Sequence, residues 1–191
     1  MAVNGLFRIQ KPLDLIQAGN SHWWLLSGCY TSSPTETKLM KIEEAFEEII
    51  KYSHYWNWAP DWGVVIDIYK TFPNSYSVLS PFAYSYLEEL IRSTTSEYPL
   101  QFQNEDQLVL KKKKVGMSLI SLAISESKEK NPEYAIILEE LKEYYYPSKI
   151  TDEGDKRHSV AHGYIHPRFW SQESFEKLIL DIAKLSKYAG F

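Results

Sequence analysis

Ser171-Gln172-Glu173-Ser174-Phe175-Glu176-Lys177-Leu178-Ile179-Leu180-Asp181-Ile182-Ala183-Lys184-Leu185-Ser186-Lys187-Tyr188 is the stretch that decides the fold. Ser171 is a cap-type residue, and a glutamate in the first turn behind it favours a helix N-terminus. Phe175, Leu178, Ile179, Ile182 and Leu185 then recur at helical spacing and face one way. Nothing in this run reads as a strand, and the same signature recurs upstream.

Ser33-Pro34-Thr35-Glu36 is a capping box with proline at the first helical position, followed by the apolar stripe Leu39, Ile42, Phe46 and Ile49. Ser80-Pro81 predicts a second start, leading into Phe82, Tyr86, Leu87, Leu90 and Ile91. Asn131-Pro132-Glu133 predicts a third that runs to Tyr146, ahead of Pro147. Thr151-Asp152-Glu153 predicts the cap of a short helix containing Arg157 and ending at Gly163. One more helix is expected between Asp106 and Ser127, where the Lys111 to Lys114 run reads better as a solvated helix face than as a backbone contact for RNA. The expectation is an all-α bundle of about five to seven helices, with a long helix last. The first 30 residues and the aromatic stretch from Tyr55 to Tyr76 give no clear pattern, although Gly63 to Tyr69 is rich in β-branched residues.

Composition narrows the function. At 191 residues with no shift in composition, residues 1–191 read as one domain. No apolar run approaches the roughly 20 residues of a membrane helix, so no membrane partner is expected. The net charge of -4 means that nucleic acid would have to bind through a local patch. Leu26-Ser27-Gly28-Cys29 resembles a lipoprotein cleavage site, but Asp14, Gln17, Asn20 and His22 interrupt the apolar stretch that such a signal needs. A single cysteine suits a reducing, cytoplasmic setting. Trp23-Trp24 and the cluster from Tyr55 to Trp62 suit core or interface packing better than base stacking.

One local patch stands out. Arg157-His158-Ser159-Val160-Ala161-His162-Gly163-Tyr164-Ile165-His166-Pro167-Arg168 holds three of the five histidines and two of the four arginines. Arginine stays charged and suits phosphate, while histidine exchanges protons near neutral pH. On an ideal helix Arg157 and His162 are about 140° and about 7.5 Å apart, so only a curled arginine side chain would bring them together. His158 and His162, four apart, share a face. Taken alone, Arg157 reads as an ion pair with Asp152, Glu153 or Asp155, and His162 as a residue favoured by a helix C-terminus. A metal site from His158, His162 and His166 is disfavoured, because Gly163 and Pro167 break the helix between them.

Arg157, polar His158, three residues and then His162 resemble the motif of HEPN-domain proteins. Gly163 and Tyr164 extend the likeness to a branch of HEPN toxins with a tyrosine two positions after the histidine. The resemblance implies a helical bundle with the motif close to the last long helix, residues 1–75 as a family-specific N-terminal extension beyond a minimal four-helix toxin, and a metal-independent endoribonuclease without cofactor. It implies a homodimer in which two motifs meet in a cleft, acting as a toxin or in phage defence. His162 would serve as general acid or base, Arg157 would hold the phosphate and His158 would support both. RNA would be the substrate, since this route uses the 2′-hydroxyl. Tyr164, His166 and Arg168 would contact substrate; in the toxin branch the tyrosine is also a target for a nucleotidyltransferase partner, and an antitoxin is a further expected partner. The alternative is a non-catalytic HEPN-like module that binds nucleotide, RNA or protein.

Overall fold

In the computed structural model, which describes residues 34–54, 57–100 and 113–191, every regular element is helical. The elements are α1 (Pro34–Tyr52), α2 (Ala59–Thr71), α3 (Tyr76–Ser93), a single turn α4 (Glu97–Leu100), α5 (Gly116–Ser127), α6 (Pro132–Leu141), α7 (Arg157–His162) and α8 (Gln172–Ser186). Short 3-10 turns at Pro73–Ser75, Lys142–Tyr145 and Pro167–Phe169 join them, and there is no strand among the described residues.

The closing helix forms for the reasons its sequence suggests. The Ser171 side chain accepts a hydrogen bond from the Ser174 amide at 3.1 Å, satisfying one of the donors that a helix N-terminus leaves free. Phe175, Leu178, Ile179, Ile182 and Leu185 are all buried, on the side that packs against α1 and α3. Ile42, Phe46 and Ile49 of α1 complete that part of the core. Each such side chain contributes about 1.5–3 kcal/mol on burial, so α8 is held chiefly by apolar area.

Helix α3 is the central strut, touching α5, α7 and α8. It begins at Tyr76, a full turn before the Ser80-Pro81 start expected from sequence. A proline this near a helix start removes only one backbone donor, and the Ser80 hydroxyl donates to the Tyr76 carbonyl at 2.7 Å beside it. The turn at Pro73–Ser75 feeds the chain into this earlier start.

The unassigned aromatic stretch becomes α2, because Trp62, Val65 and Tyr69 recur at helical spacing and are buried. Trp62 is fully buried with its ring 5.1 Å from both Phe82 and Tyr86, at interplanar angles of 80° and 86°. Such edge-to-face pairs add about 0.5–1.5 kcal/mol each beyond their buried area. Asn131 caps α6 by accepting from the Tyr134 amide at 3.2 Å, and the helix tightens into a 3-10 turn ending at Tyr145. Lys113 and Lys114 lie in the non-helical approach to α5, with the Lys114 ammonium 3.6 Å from Glu97. They are therefore not a helix face; the N–H of Lys114 is itself used by Glu97 at 3.2 Å.

Of residues 1–75, positions 34–54 and 57–75 supply α1, α2 and the first 3-10 turn, with α1 lying along α8. Trp23-Trp24, Cys29 and the Ser33 cap lie outside the described residues, as do Lys111 and Lys112. The described residues belong to one compact unit, and none of their helices is long and apolar enough to cross a membrane.

Candidate functional site

The segment before α7 is a pinned loop. Thr151-Asp152-Glu153 does not cap the helix: α7 begins only at Arg157, and Asp152 folds back on the loop instead. Its Oδ1 accepts from the amides of Gly154 at 2.9 Å and Asp155 at 3.2 Å, and its Oδ2 from the Ser159 hydroxyl at 2.5 Å. Local bonds of this kind compete with helix formation for short polar side chains, which is why the helix starts late. Gly154 has φ +87°, and a Cβ there would lie 2.8 Å from the Trp170 side chain, so no other residue fits without strain. Its carbonyl accepts from the Tyr84 hydroxyl at 3.2 Å, while the Ser171 amide donates to Glu153 at 2.8 Å. The loop is thereby tied to α3 on one side and to the start of α8 on the other.

Helix α7 has only six residues. Ser159 and Val160 face the core, Arg157 is half-buried, and His158 and His162 are exposed. Arg157 curls as its length allows: Nη1 lies 3.4 Å from His162 Nε2. A guanidinium can only donate, so this contact is a hydrogen bond when Nε2 carries no proton. The rings of His158 and His162 are 4.8 Å apart, and that of Tyr164 is 6.2 Å from His158. Four of the six residues singled out in sequence thus meet at one exposed end.

His166 and Arg168 stand apart. Gly163 ends α7 in the left-handed conformation at φ 63°, and Pro167 opens a new turn. His166 Nδ1 accepts from the Arg168 amide at 3.2 Å, and the Arg168 guanidinium sits 4.5 Å over the Phe169 ring. No hydrogen bond, ion pair or ring contact among the described residues joins these two to the other four. Nor does any group of three metal-ligand side chains assemble among the described residues. No family model matches the chain, and no curated protein or solved structure matches it. What the chain can do rests on the chemistry of the site itself.

That chemistry includes two carboxylates which the motif does not contain. Besides Asp152, Glu88 of α3 reaches Arg157 with Oε1 3.0 Å from Nε and Oε2 3.4 Å from Nη2, and Oε1 also accepts from the Gly116 amide at 3.0 Å. Arg157 therefore pairs across the bundle and not with its acidic neighbours in sequence. Glu88 carried one signal, an acid at the edge of the apolar stripe of Leu87, Leu90 and Ile91. Tyr145 is buried nearby; burial pushes its phenol well above the usual range, the Glu88 charge adds to this and Arg157 offsets part of it. Lys156, just before the helix, is lowered by partial burial but raised on balance by Asp155 and Glu143.

The arrangement offers one fixed cation beside two exposed imidazoles, open to an anionic ligand. A phosphate on Nη1 would replace the contact to His162 and leave that ring free for a proton transfer.

Proposed function

We propose that this protein is a metal-independent endoribonuclease of the HEPN type, working as a toxin or in phage defence. The observation that carries the reading is the approach of Arg157 Nη1 to His162 Nε2, 3.4 Å apart on the exposed side of α7. In the reaction His162 takes the proton of a ribose 2′-hydroxyl. The freed oxygen attacks the adjacent phosphorus, and the bond to the 5′-oxygen breaks. A second imidazole, His158 or His162 of a second copy, protonates the leaving oxygen. Arg157 neutralises the charge that builds on the phosphoryl oxygens. The products are a 2′,3′-cyclic phosphate and a 5′-hydroxyl, with no metal or cofactor required.

A homodimer fits this reading, because two short helices meeting across a two-fold axis would double the imidazoles and cations. Tyr164, 61% exposed, stands beside the motif with its ring 6.2 Å from that of His158. Left uncovered by the dimer contact, the Tyr164 side chain would be open to a nucleotidyltransferase partner.

A second reading, a binding module without catalysis, is favoured by the double contact of Arg157 with Glu88, which commits part of the cation to a structural pair. Incubating the purified chain with a mixed RNA pool in excess EDTA separates the two. Cleavage by wild type, lost in Arg157→Ala and His162→Ala and leaving cyclic phosphate ends, supports the nuclease. Intact RNA in every lane, with RNA still bound by wild type, supports the module.

A further inference from the structure

Glu88 is 69 residues from Arg157 in the chain and grips it through one defined edge of the guanidinium. That edge is Nε with Nη2, the side-on face that matches a carboxylate. Nη1 is left over, and it is the nitrogen that faces His162. The same carboxylate binds the Gly116 amide at the start of α5, so its own position is fixed by two helices before it meets α7. The Glu88 side chain is 13% exposed and that of Arg157 is 23%, which keeps the pair largely out of water and strengthens it.

We propose that Glu88 is a positioning residue for the reaction, a role that rests on the nuclease reading of the site. By occupying the Nε edge it stops the arginine from swinging into solvent or from closing fully on an incoming phosphate. It presents Nη1 at a fixed distance from the imidazole, so the phosphate settles where His162 can serve the 2′-oxygen. By holding the Nε edge it also leaves an incoming phosphate only Nη1 to bind, so it weakens RNA binding through Arg157 itself. Glu88 therefore makes RNA binding weaker and turnover faster, two effects of opposite sign that a merely structural contact does not produce.

The test uses the full chain with Glu88→Gln, Arg157→Ala and the double variant. Glutamine keeps an oxygen for the Gly116 amide and the Arg157 Nε while removing the charge, so the fold is kept and the fall in melting temperature stays smaller than that of Glu88→Ala. The expected kcat on RNA falls about tenfold or more while KM does not rise. Affinity for an uncleavable 2′-O-methyl RNA oligonucleotide rises about threefold, and that gain is absent when Arg157 is already alanine. The proposal is overturned if Glu88→Gln leaves turnover and binding unchanged, or if it alters binding equally with and without Arg157. Should wild type cut no RNA, the nuclease reading fails by itself and the binding cycle still decides: coupling between the two residues upholds the positioning of Arg157, and additivity rejects it. Glu88→Ala, which deprives the Gly116 amide of its acceptor, gives the size of the purely structural effect on melting.

Discussion

Helices α7 and α8 are neighbours in sequence and opposites in construction. The longer has 15 residues and presents a continuous apolar face, whereas the shorter has six and buries only Ser159 and Val160. A six-residue helix has no stability of its own in water. What holds it is directional: Asp152 to Ser159, Glu88 to Arg157, Tyr84 to Gly154 and the left-handed cap at Gly163. Apolar area fixes the scaffold without caring much about orientation, and polar ties fix the orientation of a few side chains without adding much area.

The contrast can be broken first at its strongest side. Ile179→Ala, in the middle of the buried face of α8, is expected to cost about 3–4 kcal/mol, read as a lower urea midpoint at unchanged slope. Asp152→Ala is next, at about 2–3 kcal/mol, because it leaves the fully buried Ser159 hydroxyl and the Gly154 amide without their acceptor. A loss under about 0.5 kcal/mol there would mean that the loop does not depend on its polar ties. Ser171→Ala removes the cap of α8 and is expected to cost about 1 kcal/mol. Smallest is His162→Ala, which should stay within about 0.5 kcal/mol of wild type in equilibrium unfolding while abolishing RNA cleavage. If it destabilised the chain as much as Asp152→Ala, the imidazole would belong to the scaffold and the division between the two helices would vanish.

The helical class was legible because Asn131 and Ser171 are true caps and because the stripes of α1 and α8 keep one period over several turns. Errors fell where short polar side chains had more than one use. Asp152 has the residue type and position of a cap, yet its carboxylate bonds to its own loop, since two nearby amides and a hydroxyl outcompete a helix that has not yet started. Pro81 is an equally good sign of a helix start or of a second-turn interruption, and only the preceding turn at Pro73–Ser75 decides between them. At the candidate site, the contact between Arg157 and His162 runs against ideal helical phase and was legible only through the length of the arginine side chain, which curls back to the imidazole. The pairing of Glu88 with Arg157 was out of reach, because an ion pair across 69 residues is created by topology, and all that the sequence shows locally is an acid at the edge of an apolar stripe.

The shortness of α7 has a consequence for how any activity at this site is switched on as the chain folds. Its order is borrowed from the strut it sits on, from the loop ahead of it and from the root of α8. A peptide cut out around the motif would be a coil, with its arginine and histidines sampling unrelated positions. A nascent or partly opened molecule would be in the same condition, retaining much of its helix content but none of the convergence. Competence at the motif is thus an all-or-none property of the finished molecule, and the host chain carries no working fragment while it is being made.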